Sequence, residues 1–146
     1  MKRIFILVLL SLLLCACSED KFNTFSYAGE TITIGKAIDN ENYHVEDDKL
    51  YFNDKYIGTV IMEDDKLMGL DVYLYDVKGD ICLNGYLLTK SVKETCDYFG
   101  GKVEYKKGAV CIINEDGDNG TSTMVFYANI YDQVIDELNR FSMYKY

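Results

Sequence analysis

The chain has 146 residues, with 15 basic and 24 acidic side chains, one His, no Trp, no Pro and a formal net charge of −9. So acidic a polypeptide is poorly suited to phosphate backbones or anionic headgroups, which select basic surfaces, and nucleic acid is excluded as a partner. Thirteen Tyr and seven Phe against zero Pro exclude Pro-rich linkers and point to an aromatic, strand-rich core.

The chain opens with MKRIFILVLLSLLLCAC. Lys2 and Arg3 precede an apolar run, Ile4 to Leu14, interrupted only by Ser11. About eleven apolar residues are too few for a bilayer-spanning helix, which needs roughly 20. The layout is that of an export signal. An uncleaved anchor helix or ordinary cleavage to a secreted chain are the alternatives that the run by itself leaves open. Its ending, Leu14-Cys15-Ala16-Cys17, resembles the lipobox of bacterial lipoprotein signal peptides. An aliphatic Leu14 stands three before the cysteine and a small Ala16 just before it, while Cys15 occupies a place where Ser, Ala or Thr is more usual. The resemblance implies a signal peptide over 1–16, lipidation of Cys17, and a domain outside the cytoplasm, held to a membrane at the cell envelope. More than one acyl chain is what stable anchoring requires.

Residues 17–26 read as a lipidated tether and 27–146 as the domain. Loss of residues 1–16 leaves 130 residues, enough for one core. That part keeps all 24 acidic side chains and 13 of the 15 basic ones, a balance of −11.

In chain order, the first strand candidates are Thr31–Ile34, Leu50–Asn53, Tyr56–Met62 and Leu70–Val77. Asp54-Lys55 is placed at a tight turn, and Glu46-Asp47-Asp48 and Glu63-Asp64-Asp65 at exposed ones. The segment around Ala37–Tyr43 lacks a helix cap and reads as irregular. His44, the only His, falls in a polar loop. Within 71–77, Val72 and Leu74 alternate with Tyr73 and Tyr75, which places both tyrosines on one strand face. Tyrosine combines a large contact area with a polar tip, so Tyr73 and Tyr75 are the candidate binding residues. Tyr51, Tyr56, Tyr105 and Tyr127 are expected on neighbouring sheet surface.

Further along, Ser91-Val92-Lys93-Glu94 has capping-box spacing, and Val92, Cys96 and Phe99 then share one face of a helix over 91–99. Gly100-Gly101 stops it. Strands follow over Lys102–Asn114 and Thr121–Ile130, joined by an acidic turn. A calcium loop starting at Asn114 fails at position 6, Asn119 instead of Gly, and at position 12, Val125 instead of Glu. A terminal helix is predicted over 131–142, because Tyr131, Val134, Ile135, Leu138 and Phe141 recur at helical spacing. Asp136 and Arg140 would pair on its outer side.

Segments recur about 54 positions apart: Ile34–Ile38 with Leu88–Val92, Val60–Asp64 with Ile112–Asp116, and Val72-Tyr73 with Phe126-Tyr127. Two copies of one unit, 27–80 and 81–136, would account for them. Cys82, Cys96 and Cys111 contain no CxxC spacing. They read as small buried residues, or as one disulfide with an odd thiol left over, Cys96–Cys111 being the pairing to test first. The expected fold class is α+β: a single small domain with an antiparallel sheet packed by two helices. The helix-plus-strands pattern resembles the repeat of β-lactamase-inhibitor-type domains and of small outer-membrane-assembly lipoproteins, which implies protein-binding sheet surfaces. No catalytic constellation, metal site or cofactor motif is read. The expected function is a non-enzymatic, envelope-anchored protein-binding or adaptor module. A binder of small envelope ligands, glycan or calcium, is the alternative.

Overall fold

The computed structural model describes residues 23–105, 108–117, 120–128 and 135–146. The signal segment, Cys17 and most of the tether lie outside the described residues.

The described chain is built mainly of strands. In order they are β1 (Thr24–Tyr27), β2 (Glu30–Thr33), β3 (Tyr43–Glu46), β4 (Lys49–Phe52), β5 (Lys55–Glu63), β6 (Lys66–Tyr73), β7 (Ile81–Leu83) and β8 (Tyr86–Leu87). A single described helix, α1 (Val92–Tyr98), precedes β9 (Val103–Tyr105), β10 (Ala109–Gly117), β11 (Gly120–Ala128) and β12 (Leu138–Lys145). A four-stranded sheet, ordered β2-β1-β7-β8, packs on an eight-stranded sheet, ordered β3-β4-β5-β6-β12-β11-β10-β9. This overturns the expected α+β class with two helices: the fold is β-rich, with two antiparallel sheets and one short helix.

The hairpin turns explain how so many short strands arise. Ala28, Asp47, Asp48, Asn53, Asp54, Asp64, Asp65 and Asn84 all have φ between 47° and 63°. Two consecutive left-handed residues give a turn whose twist matches that of the flanking strands. Asn and Asp tolerate this conformation because their short polar side chains bond locally. The Asp-rich segments that look merely solvated in the sequence are therefore the folds of the meander.

The terminal helix expected over 131–142 is also corrected. Residues 138–145 form β12, inserted between β6 and β11; residues 131–134 lie outside the described residues. The physical reason is a β-bulge. Tyr127 pairs with Arg140 but Ala128 with Leu138, which leaves Asn139 as an extra residue in β12. An extra residue moves the side chains before it to the other face. Leu138 and Phe141, three apart, thus both enter the core, 5% and 0% exposed. A bulged strand here reproduces the spacing of a helical stripe.

The core lies between the sheets. Phe25 of β1 meets Phe141 of β12 at 6.1 Å and Tyr43 of β3 at 6.5 Å, and Tyr27 meets Phe52 at 5.3 Å. Burying one such aromatic ring contributes about 2–3 kcal/mol. Farther along the same face of the large sheet, α1 covers β9, β10 and β11, with Phe99 stacked on Phe126 at 5.9 Å. Ser91 caps α1 by accepting the Glu94 amide at 3.1 Å. The Ser91 amide, which Glu94 would accept in a full capping box, donates instead to Thr89 Oγ1 at 3.3 Å, while Asp136 accepts the Lys93 amide at 2.9 Å and the Ser91 hydroxyl. Gly100, at φ +73°, ends the helix, and Gly101 packs where a Cβ would meet both Cys96 and Cys111 sulfurs. Those two cysteines are joined by a disulfide that ties α1 to β10, with Cα atoms 6.1 Å apart. Cys82 on β7 is half-buried and free.

The sheet has one further regularity. β4 and β9, β5 and β10, and β6 and β11 each begin 54 positions apart, and both sets of three strands flank β12.

Candidate binding surface

The side of the eight-stranded sheet away from the core presents alternate residues of its strands. On β6 these are Asp71 and Tyr73, set between Leu70 and Val72, which are fully buried. On β12 they include Arg140 and Ser142. The register pairs Arg140 with Tyr73 and with Tyr127, and Ser142 with Asp71.

Charge and aromatic groups interlock there. Arg140 Nε donates to Asp71 Oδ1 at 2.8 Å and a terminal guanidinium nitrogen to Oδ2 at 2.7 Å. Ser142 Oγ donates to the same Oδ1 at 2.8 Å. The guanidinium lies 4.9 Å from the Tyr73 ring centre and 4.8 Å from that of Tyr127. Such bidentate pairing fixes the planar fork, and the flanking rings add cation–π attraction. The hydrogen bonds to Asp71 raise the pKa of Arg140 further above its already high value.

Neighbouring aromatics extend this surface across the strands. His44 stacks on Tyr51 at 5.1 Å, Tyr51 meets Tyr56 at 6.0 Å, and the Tyr73 and Tyr75 rings lie 5.6 Å apart. Burial and the nearby Asp76 charge push the Tyr56 phenol up. Ile61 and Ile112, 50% and 58% exposed, stand among the apolar side chains that no described element covers.

Tyr73 and Tyr75 are brought together, though not as one strand face. β6 ends at Tyr73, and Tyr75 falls in the following turn, 71% exposed. There it forms the rim of a groove of about 430 Å³ bounded by residues 74–81, 87–90 and 137–139. Cys96 and Cys111 meet in the disulfide already described. Cys17 lies outside the described residues. Arg140 and Asp71, which organise the surface, are missed by sequence reasoning because Arg140 is there assigned to a helix beside Asp136. The available signal was the alternation itself: Asp71/Tyr73 and Arg140/Ser142 are two polar pairs at strand period.

The other polar candidates are engaged locally. Asn114 Oδ1 accepts from Thr123 at 2.8 Å and Asp116 Oδ1 from Thr121 at 2.7 Å. Among the described residues no group of three or more His, Cys, Asp or Glu converges as a metal site. No described helix is long and apolar enough to cross a membrane.

Four described groups have clearly displaced pKa values: Tyr43, Tyr56, Lys93 and Arg140. All four move upward, away from neutral pH. The surface presents clustered phenol rings, an ion-paired guanidinium and exposed aliphatic side chains.

Compared with known proteins, the chain matches no family model, no curated protein and no solved structure.

Proposed function

We propose that this chain is a lipid-anchored protein of the cell envelope whose β-rich domain binds a protein partner without catalysing a reaction. Anchorage rests on the Leu14-Ala16-Cys17 pattern after a basic start and an apolar run. The binding role rests on one observation above all: the Arg140 guanidinium, held by Asp71 and flanked by Tyr73 and Tyr127, on a sheet face that no described element covers. Tyrosine and arginine anchored in this manner are the residue types that dominate protein–protein contact energies.

The test is capture of the full-length chain after crosslinking in its host cells, beside a Cys17→Ala chain. One dominant protein partner, lost when the anchor is lost, supports the reading. Equal recovery of the parent and Cys17→Ala chains in the soluble fraction removes the anchor from it. Absence of any enriched protein removes the partner.

A further inference from the structure

A groove lies beside the strand with which the described chain begins. The described chain begins at Asn23, whose carbonyl accepts from Ile34 N at 2.7 Å and whose amide donates to Asn84 Oδ1 at 3.1 Å. Close by, Gly35 N donates to Leu67 O at 2.6 Å, beside the Asp64–Asp65 turn. From there β1 runs to Tyr27, which pairs with Ile81 and whose hydroxyl donates to the Lys78 carbonyl at 2.6 Å. Ile81 and Leu88 are bonded backbone to backbone at 2.9 Å, and both line the groove rimmed by Tyr75. Asn23 thus lies at one end of β1, and the groove lies beside Ile81 at the other end of that strand.

The groove has a mixed lining. Its floor includes Ile81 and Leu138, 4% and 5% exposed, while Tyr75 and Leu87 form a rim that is 71% and 52% exposed. Asp80 and Glu137 contribute two acidic groups against the one base, Lys90. A volume of about 430 Å³ accommodates one or two side chains of a docked segment. An apolar floor with an acidic edge, on a domain that is itself strongly acidic, complements a segment with an apolar residue beside a basic one.

We infer that this groove is the anchor pocket for the protein partner, and that it takes an exposed partner segment carrying an apolar side chain flanked by Lys or Arg. The inference rests on the protein-binding reading above and names the chemistry of the partner.

Site-specific photocrosslinking in the full-length, membrane-held chain tests this. A benzophenone side chain is placed in turn at Leu87, at Tyr73 and at Ile112; Leu87 and Ile112 are exposed enough to accept it without unfolding the domain. The expected result is an adduct from Leu87 whose mapped partner peptide has Lys or Arg next to an apolar residue. Asp80→Lys with Glu137→Lys should lower its yield about tenfold, while the equal charge change Glu46→Lys with Glu63→Lys, at exposed strand positions, leaves it unchanged. An adduct from Tyr73 without one from Leu87 overturns the groove and leaves the binding face standing. A Leu87 adduct on a peptide without a base, or one insensitive to the groove charges, overturns the stated chemistry. No protein adduct from any of the three positions overturns both readings.

Discussion

Arg140 and Asp71 meet across β12 and β6 through two parallel hydrogen bonds of 2.8 and 2.7 Å. They are 69 residues apart in sequence. Because β12 enters the sheet between β6 and β11, this pair closes the ladder formed by the last strand, and it sits among the tyrosines of the proposed binding face. The pair thus links the integrity of the sheet to the shape of the surface.

Asp71→Ala should lower stability by about 1–3 kcal/mol, since it removes a partly buried, charge-assisted pair and leaves Ser142 without its acceptor. Arg140→Lys keeps the charge but not the planar fork, and should recover less than half of the loss caused by Arg140→Ala. Urea unfolding followed by circular dichroism measures both. Equal stability of Arg140→Lys and the parent would show that charge alone matters at this position.

Tyr43 predicts a pH dependence. Burial is the largest cause, reinforced by the Glu30 charge and opposed by its bond with the Tyr27 backbone, and it pushes the phenol up to about 12 from 10.0. The folded chain therefore holds this proton more tightly than the unfolded chain. The contribution is complete below pH 10 and disappears as pH rises through about 12, amounting to about 2–3 kcal/mol over that window. Tyr43→Phe should lose about 1 kcal/mol at pH 7, because the Tyr27 amide loses its acceptor, and should flatten the fall in stability above pH 10. Stability measured from pH 8 to 12 in both chains checks the difference; parallel curves would contradict it.

Reduction of Cys96–Cys111 opens a loop with a sequence separation of 15. A closed loop of that size contributes about 3 kcal/mol in the chain-entropy description. The melting temperature should fall on adding dithiothreitol, and Cys96→Ala with Cys111→Ala should lower it similarly and abolish the response. Cys82 should react with maleimide without reductant, more slowly after addition of denaturant is omitted than after it is included, as its half-burial requires.

Ala28 occupies a left-handed conformation, φ 52°, in the β1–β2 turn ahead of Gly29. An L-residue with a Cβ is strained there by about 1–2 kcal/mol, and Asn carries less of that cost. Ala28→Asn should raise stability by about 0.5–1 kcal/mol, with the sheets and the binding face unchanged. A lower melting temperature for Ala28→Asn would show that the turn is not held by backbone preference.

The sequence made some of these features readable and hid others for physical reasons. Long strands that alternate, such as β5 and β11, can be located from composition and period. So can α1, because Ser91 and Glu94 stand at capping distance. β1, β3, β7 and β8 have between two and four residues, too few for any period to show. β12 was hidden by its bulge at Asn139, which gives Leu138 and Phe141 a helical spacing. That single misreading also misplaced Arg140, and with it the charged centre of the binding face. The groove could not be read at all, since it gathers three separate stretches of chain. Tyr73 and Tyr75 were legible as neighbours, but not the turn that sends one onto the sheet and the other to the groove rim.

The most direct test of the central claim is partner capture by a full-length chain with Tyr73→Ala and Tyr75→Ala together, measured beside the parent chain in the same cells. Tyr75 is exposed and Tyr73 lies on the outer side of the sheet, so the double variant should reach the membrane and keep the parent circular dichroism spectrum, with a melting temperature lower by only a few degrees. The account predicts that the captured partner is nonetheless lost. Undiminished capture by a folded, anchored double variant would contradict it.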